Sequence, residues 1–243
     1  MQSGDINTSE SLVVEAGLDP SVLIAVFSGL RGRWGARRFD FARTTQSLRY
    51  SRILCRDPYS AWYHNGIGEE ASGIRPLAEL LRERIEELAP TVKIFIGNSA
   101  GGYAAMLFGH MLEADMVHAF SPQTCLKPNY VKHHRRLDQQ WKADAYERLW
   151  ASPDAAPDLF DLKAVLKRHN GRTTYFVHMC ENNDNDRGAA DWIAASKGVR
   201  ICSYPCTSHG VARHMAKEKL LYKMLQPDLE QVSADLSKEA DLR

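Results

Sequence analysis

Long apolar runs are missing from this sequence: across its 243 residues no window approaches the roughly 18 consecutive apolar residues that a membrane-spanning helix needs. The opening stretch, Met1 to Glu10, carries Asp5 and Glu10 but neither a basic start nor an apolar core, so the marks of a secretory leader are missing too. The expectation is a cytoplasmic protein with no membrane partner. An excess of one charge is also absent. Lysine and arginine total 31 against 30 acidic residues, a net charge of +1, which gives no global attraction to nucleic acid or anionic lipid. The basic run His133-His134-Arg135-Arg136 lies in a polar stretch and reads as a solvated face, so no nucleic-acid partner is expected.

Cysteine is sparse and odd in number. At least three of Cys55, Cys125, Cys180, Cys202 and Cys206 lie in or beside apolar runs, the pattern of reduced thiols rather than of a disulfide scaffold. No paired CxxC occurs. Cys202, Cys206 and His209 come nearest to a metal set, but strand alternation separates the cysteines and no fourth ligand follows, so no metal is expected. The Lys and Ser/Thr of a GxxxxGK[ST] phosphate loop are absent, as are internal repeats and low-complexity linkers. What remains, 44% hydrophobic and 25% charged, is enough for one sizeable core, and a single domain over 1–243 is the reading.

From about Val22, short apolar runs alternate with stretches of helical period, the signature of a mostly parallel sheet covered by helices on both faces. The expected strands are Leu23 to Phe27, Arg52 to Arg56, Lys93 to Gly97, Met116 to Phe120, Thr173 to Met179 and Arg200 to Tyr204. Leu77, Leu80, Leu81, Ile85 and Leu88 recur at spacings of three and four and predict a crossover helix. Helices are also expected over Gly188 to Ser196 and Val211 to Leu225. The segment 121–171, charged and aromatic without a strand signal, reads as a helical, lid-like insertion. The stretch Pro227 to Arg243 reads as a loosely docked helix or a frayed tail.

Gly97-Asn98-Ser99-Ala100-Gly101 matches GxSxG, with a strand before it and a helix of small and apolar residues after it. A side chain projected from so tight a turn needs neighbours without bulk. The helix that follows directs free N–H groups and its positive dipole end toward an oxyanion forming beside Ser99; the backbone N–H of Ala100 is the expected first donor. On its own the motif also fits a glycine-rich turn that only closes a strand onto a helix. A serine nucleophile needs a histidine in reach and a carboxylate that fixes the histidine tautomer. His209 sits directly after the last expected strand and before a helix. The other eight histidines fall inside strands, helices, the insertion or an early loop. For the acid, the run Glu181-Asn182-Asn183-Asp184-Asn185-Asp186 follows the preceding strand; Asp186 is favoured, with Asp184 as competitor and Glu181 behind. The bland alternatives are an N-cap for Asp186 and a turn residue for Asp184.

With strand, elbow, acid and histidine loop in this order, the chain from about Val22 to Leu225 resembles the α/β-hydrolase superfamily. The resemblance implies a three-layer α/β/α sandwich with a sheet of about six strands, because the short N-terminal region leaves little room for early antiparallel strands. It implies a second oxyanion donor at Leu30, in Phe27-Ser28-Gly29-Leu30, where Ser28 replaces the family's usual histidine. Catalytic Ser99, His209 and Asp186 would then cleave an ester or thioester of a small molecule through an acyl-enzyme, with no cofactor. Transfer of the acyl group to an alcohol or sugar is the alternative, and a non-catalytic binding module on the same fold is a third reading. Arg31 lines the pocket or faces solvent. Trp62 and Tyr63, in an aromatic loop over the same end of the sheet, stack on substrate or pack the loop onto the body. A homodimer is left open.

Overall fold

Strands in which every residue is apolar, not every second one, belong to sheets covered on both faces, and the middle of this chain is built that way. The computed structural model describes residues 11–30, 39–135, 137, 139–168 and 171–225. In it, strands β1 (Leu12–Glu15), β2 (Asp19–Phe27), β3 (Tyr50–Cys55), β4 (Val92–Asn98), β5 (Met116–Phe120), β6 (Thr174–Cys180) and β7 (Val199–Tyr204) form one sheet of order β1-β3-β2-β4-β5-β6-β7. Only β1 runs antiparallel, paired with β3; the other neighbours are parallel.

The sheet therefore has seven strands, not about six. The extra strand is the early antiparallel one for which the sequence left little room: four residues suffice, because Leu12 to Glu15 pair with the edge of β3 and need bury only one side.

The alternation of β2 divides the core. Leu23, Ala25 and Phe27 point to one face, under α2 (Ile74–Leu88), α3 (Ala100–Met111) and α7 (Asp184–Ile193). Val22, Ile24 and Val26 point to the other, toward α1 (Ala42–Gln46) and the end of α9 (Leu220–Met224). Helix α2 follows from its spacing: Ile74, Leu77, Ala78, Leu81 and Ile85 make one buried stripe. It stops at Ala89, whose φ of 46° is left-handed, with Pro90 next. The single helix expected over Val211 to Leu225 is two, α8 (Val211–Lys217) and α9, broken at Lys219 with φ of 57°. The stretch Pro227 to Arg243, expected to be a loosely docked helix or a frayed tail, lies outside the described residues.

The segment 121–171 carries α4 (Pro128–His134), α5 (Gln140–Ala151), a 3-10 turn over Pro157–Leu159 and α6 (Leu162–Leu166). Backbone bonds from Leu126 N–H to Phe160 C=O (2.7 Å) and from Leu162 N–H to Thr124 C=O (3.0 Å) close its base. Its far side is tied to the body through His64. Ala156 N–H donates to His64 Nδ1 (3.2 Å), so Nε2 carries the proton toward Tyr103 Oη (2.9 Å), and Tyr103 donates to Leu159 C=O (2.8 Å). No helix among the described residues is long and apolar enough to cross a membrane.

A second histidine row crosses the sheet: His118 Nδ1 meets His178 Nε2 at 3.0 Å, and His178 Nδ1 meets Tyr204 Oη at 3.0 Å. Burial pushes His64 and His118 down to about 3 and His178 to about 4, with the neighbouring His178 adding to the effect on His118. For a base with a depressed folded pKa, stability is complete above the unfolded value of about 6.5 and is lost as pH falls below it, since only the unfolded chain takes up the proton. Between pH 8 and pH 5 each such histidine should remove about 2 kcal/mol. Urea unfolding across that range should therefore show a loss in the wild type that the double variant His118→Phe, His178→Phe reduces by about 4 kcal/mol at pH 5. Equal slopes for the two proteins would exclude these histidines as the cause.

Candidate active site

The site is set by how closely helix α3 approaches the sheet. A Cβ on Gly97 would lie 2.0 Å from the Gly101 carbonyl oxygen, and one on Gly101 would lie 2.0 Å from that of Phe27. Glycine is obligatory at both, and the chain between them must turn within one residue. That residue is Ser99, held at φ 58°, ψ −115°, a conformation that costs a non-glycine residue on the order of 1–3 kcal/mol. The half-buried hydroxyl is thereby lifted off the end of β4, beside the first turn of α3, whose N–H groups have no partner within the helix.

Three loops at the carboxyl ends of neighbouring strands converge on Ser99 Oγ. The loop after β7 brings His209 Nε2 to 2.9 Å. Behind it, Asp186 Oδ1 is 2.6 Å from His209 Nδ1, the carboxylate being 1% exposed and the imidazole 36%. The structure brings together Ser99, His209 and Asp186 and leaves the competitors out. Asp184 is exposed and pairs with Arg187, and Glu181 is exposed. Asp186 is not the N-cap. Asn183 takes that place, accepting the Asp186 N–H at 3.0 Å, and α7 accordingly starts at Asp184 rather than Gly188. Capped by its neighbour, the Asp186 side chain is free to turn inward.

Two partners come from the segment directly after β5 and were not found in the sequence. Ser121 Oγ donates to Asp186 Oδ2 at 2.7 Å, so both carboxylate oxygens are engaged. Gln123 Nε2 lies 2.8 Å from Ser99 Oγ, and its Oε1 accepts from Trp62 Nε1 at 3.1 Å. The usable signal was positional: Ser121-Pro122-Gln123 follows immediately on a central strand, where ligand-facing residues collect, but composition grouped it with the insertion.

The aromatic loop after β3 is organised by Asp57. Its buried carboxylate accepts the N–H groups of Tyr59 (2.9 Å), Ala61 (2.6 Å) and Tyr63 (3.1 Å); burial raises its pKa and these amides pull it back down. The loop can then hold Ser60, Trp62 and Tyr63 at positive φ. Tyr63 is a packing residue, its hydroxyl 2.9 Å from the Ser28 carbonyl and 3.1 Å from that of Cys55. Trp62 lines the cavity, stacked on Tyr146 of α5 at 4.4 Å.

On the opposite wall, Gly29 N–H donates to Asp40 Oδ2 at 3.0 Å, and Asp40 N–H donates to Ser28 Oγ at 3.0 Å. Ser28 thus fixes the loop where the family's histidine was expected. With the Gly29 amide occupied, Leu30 is the next along that loop, and it lines the same cavity as Ser99. Arg31 lies outside the described residues. The cavity measures about 440 Å³ and is bounded by the Ser28–Leu30 loop, the aromatic loop, α5 and the loops carrying Asn183 and His209.

The expectation of reduced thiols fails at one place: Cys180 and Cys206 form a disulfide. Spacing hid the pair, since their proximity exists only because β6 and β7 are sheet neighbours. Cys206 is therefore not available to the Cys202–His209 set, and among the described residues no three or more ligating side chains converge. Cys55, Cys125 and Cys202 are free thiols.

No protein-family model and no curated protein matches the sequence. Solved structures do match in fold. The capsule O-acetyltransferase of Neisseria meningitidis serogroup A aligns with a TM-score of 0.60 at 14% identity, covering 87% of this chain and 90% of that one. FphF, a fluorophosphonate-binding serine hydrolase of Staphylococcus aureus, aligns at 0.55 and 12%, covering 87% and 91%. Est1E from Butyrivibrio proteoclasticus aligns at 0.55 and 12%, covering 88% and 92%. The chain has the α/β-hydrolase fold.

The two aspartates separate in a direct test. Asp186→Asn should lower the rate of a Ser99-dependent reaction by about 10³- to 10⁴-fold, because the amide no longer fixes the imidazole tautomer, whereas Asp184→Asn should leave it within a factor of about two, as suits a surface pair. Kinetics with an activated ester decide it. The disulfide closes a loop across a separation of 26 residues, worth about 3.5 kcal/mol on the chain-entropy relation. Cys180→Ser with Cys206→Ser should lower unfolding stability by that order in urea titrations, and an unchanged midpoint would show that the bond contributes nothing.

Proposed function

We propose that the protein is a serine esterase that works through an acyl-enzyme. The observation that carries the reading is the unbroken row from Ser99 Oγ through His209 to Asp186, at 2.9 Å and 2.6 Å. His209 takes the Ser99 proton as Oγ attacks the acyl carbon. The resulting imidazolium is stabilised by Asp186, whose other oxygen accepts the Ser121 hydroxyl. The N–H groups of Ala100 and Leu30 hold the oxyanion, a contribution worth about 10²- to 10³-fold per donor. His209 then protonates the leaving group, and water, deprotonated by the same nitrogen, releases the acid. The segment 121–171 acts as a lid within one domain and sets acyl and acceptor preference.

Transfer to an alcohol or sugar is supported by a separate observation. Beside Trp62 the cavity presents Trp141, Gln139, Asn183 and Asn185, flat rings and amides of the sort that receive a polyol. A capsule O-acetyltransferase shares the fold.

Labelling with a fluorophosphonate probe and mapping the modified peptide tests the nucleophile without knowledge of the substrate. The adduct should fall on Ser99 and vanish in Ser99→Ala and His209→Ala. Folded wild type that takes up no probe and hydrolyses no small activated ester would overturn the proposal. Acetyl transfer from p-nitrophenyl acetate to added sugars, measured beside hydrolysis, ranks the two acceptors.

A further inference from the structure

We infer that Gln123 is a catalytic residue of the acyl-acceptor step, its side-chain amide passing from Ser99 Oγ to the hydroxyl of the incoming water or alcohol once Ser99 is acylated. This rests on the reading of Ser99 as nucleophile.

The orientation of the amide follows from its second partner. An indole N–H can only donate, so the atom that Trp62 Nε1 meets at 3.1 Å is Oε1, and Nε2 faces Ser99 Oγ at 2.8 Å. Flipping the amide would set donor against donor. Both holders are buried, Gln123 at 5% and Trp62 at 1% exposure, and Trp62 is clamped by its stack on Tyr146 and by the Asp57-bound loop.

The protons are equally constrained. His209 Nδ1 carries its proton toward Asp186, so Nε2 is bare and accepts the Ser99 hydroxyl proton. Gln123 therefore donates to a lone pair of the same oxygen. In the resting enzyme all three groups are satisfied.

Acylation removes that balance. The Oγ proton goes to His209 Nε2, the Oγ–acyl bond forms, the bond to the leaving group breaks, and the leaving group departs with the proton from Nε2. The ester oxygen left at Oγ shares its lone pair with the acyl carbonyl and is a poor acceptor. The buried Gln123 N–H then lacks a partner, a state that costs on the order of 1–3 kcal/mol.

The oxygen that attacks next must lie within reach of His209 Nε2, to give up its proton, and within bonding distance of a carbon attached to Oγ. Gln123 Nε2 and His209 Nε2 are each within 3 Å of Oγ and both line the cavity. An acceptor hydroxyl placed there donates to His209 and receives the Gln123 N–H. As its bond to the acyl carbon forms, the C–Oγ bond breaks, the proton on Nε2 returns to Oγ, and Gln123 regains its first partner. Ester and free serine leave the cycle balanced, with water giving the acid in place of the ester.

The test separates attack by Ser99 from release of the acyl group. Phosphonylation by a fluorophosphonate reports attack alone, while turnover of p-nitrophenyl acetate, with the acetyl-Ser99 fraction read by intact mass during turnover, reports release. Gln123→Met keeps the volume and Gln123→Ala does not, so agreement between them removes folding as the cause. Phosphonylation should stay within about tenfold of wild type, turnover should fall about 10- to 100-fold, the loss of a hydrogen bond to a reacting group, and acetyl-Ser99 should accumulate. Any result in which the acetyl-enzyme fraction does not rise overturns the role of Gln123. Wild type that shows no Ser99-dependent labelling or turnover removes instead the reading of Ser99 on which the inference stands.

Discussion

The contact between helix α3 and the sheet, too close for a Cβ at either Gly97 or Gly101, governs the rest of the site. It leaves Ser99 as the single hinge between strand and helix, and the strained backbone there is sustained by what surrounds it: Ser99 N–H donates to the Phe120 carbonyl and Tyr103 N–H to the Ser99 carbonyl. A looser packing would relax Ser99 into an ordinary turn and drop the hydroxyl toward the sheet. The same closeness sets the amides at the start of α3 beside the hydroxyl, so the geometry that lifts Ser99 Oγ also supplies the positive end of a dipole next to it.

Around this hinge, three loops are held by carboxylates, two buried and Asp40 half-buried, that accept hydrogen bonds from them. Asp57 binds the amides of its own loop, Asp40 binds the Gly29 amide on the opposite wall, and Asp186 holds Ser121 and His209. Burial raises the pKa of Asp57 and Asp40, and amide donors oppose the rise. The consequence is electrostatic economy. Three acidic side chains stand near Ser99, yet of these only Asp186 bonds the imidazole, so His209 has one of them to orient it.

How far the sequence could be read depended on whether a signal was local. GxSxG with its flanking strand and helix, and His209 directly after an apolar strand, are contiguous patterns, and both residues meet in space. The identity of the acid was half legible. Two aspartates stood two residues apart, and the choice turned on Asn183 taking the cap, a matter of which side chain bonds which amide. Gln123, Ser121 and the Cys180–Cys206 bond were not legible, because each works across 24 residues or more and acquires meaning only from strand order. The short β1 was missed for a related reason: its four residues, three half-buried and Val14 exposed, offer an apolar run of only three, shorter than the run that marks a central strand.

Ser99 is bracketed by two halves of unequal origin. On one side, His209 and Asp186 belong to the β6–β7 end of the sheet, where α7, the Ser121 hydroxyl and the disulfide hold the loops together. On the other, the amide of Gln123 is set by Trp62, and Trp62 rests on Tyr146 of α5. A shift of α5 therefore reaches Ser99 through three contacts, Tyr146 to Trp62, Trp62 to Gln123 and Gln123 to Ser99, none of them made by His209. The half that holds His209 can stay fixed while the half that holds Gln123 responds to what occupies the cavity. On the proposed reading of Ser99, that division would let the covering segment select the acceptor while Ser99 and His209 keep their arrangement, in keeping with a fold that hosts many functions through its sites.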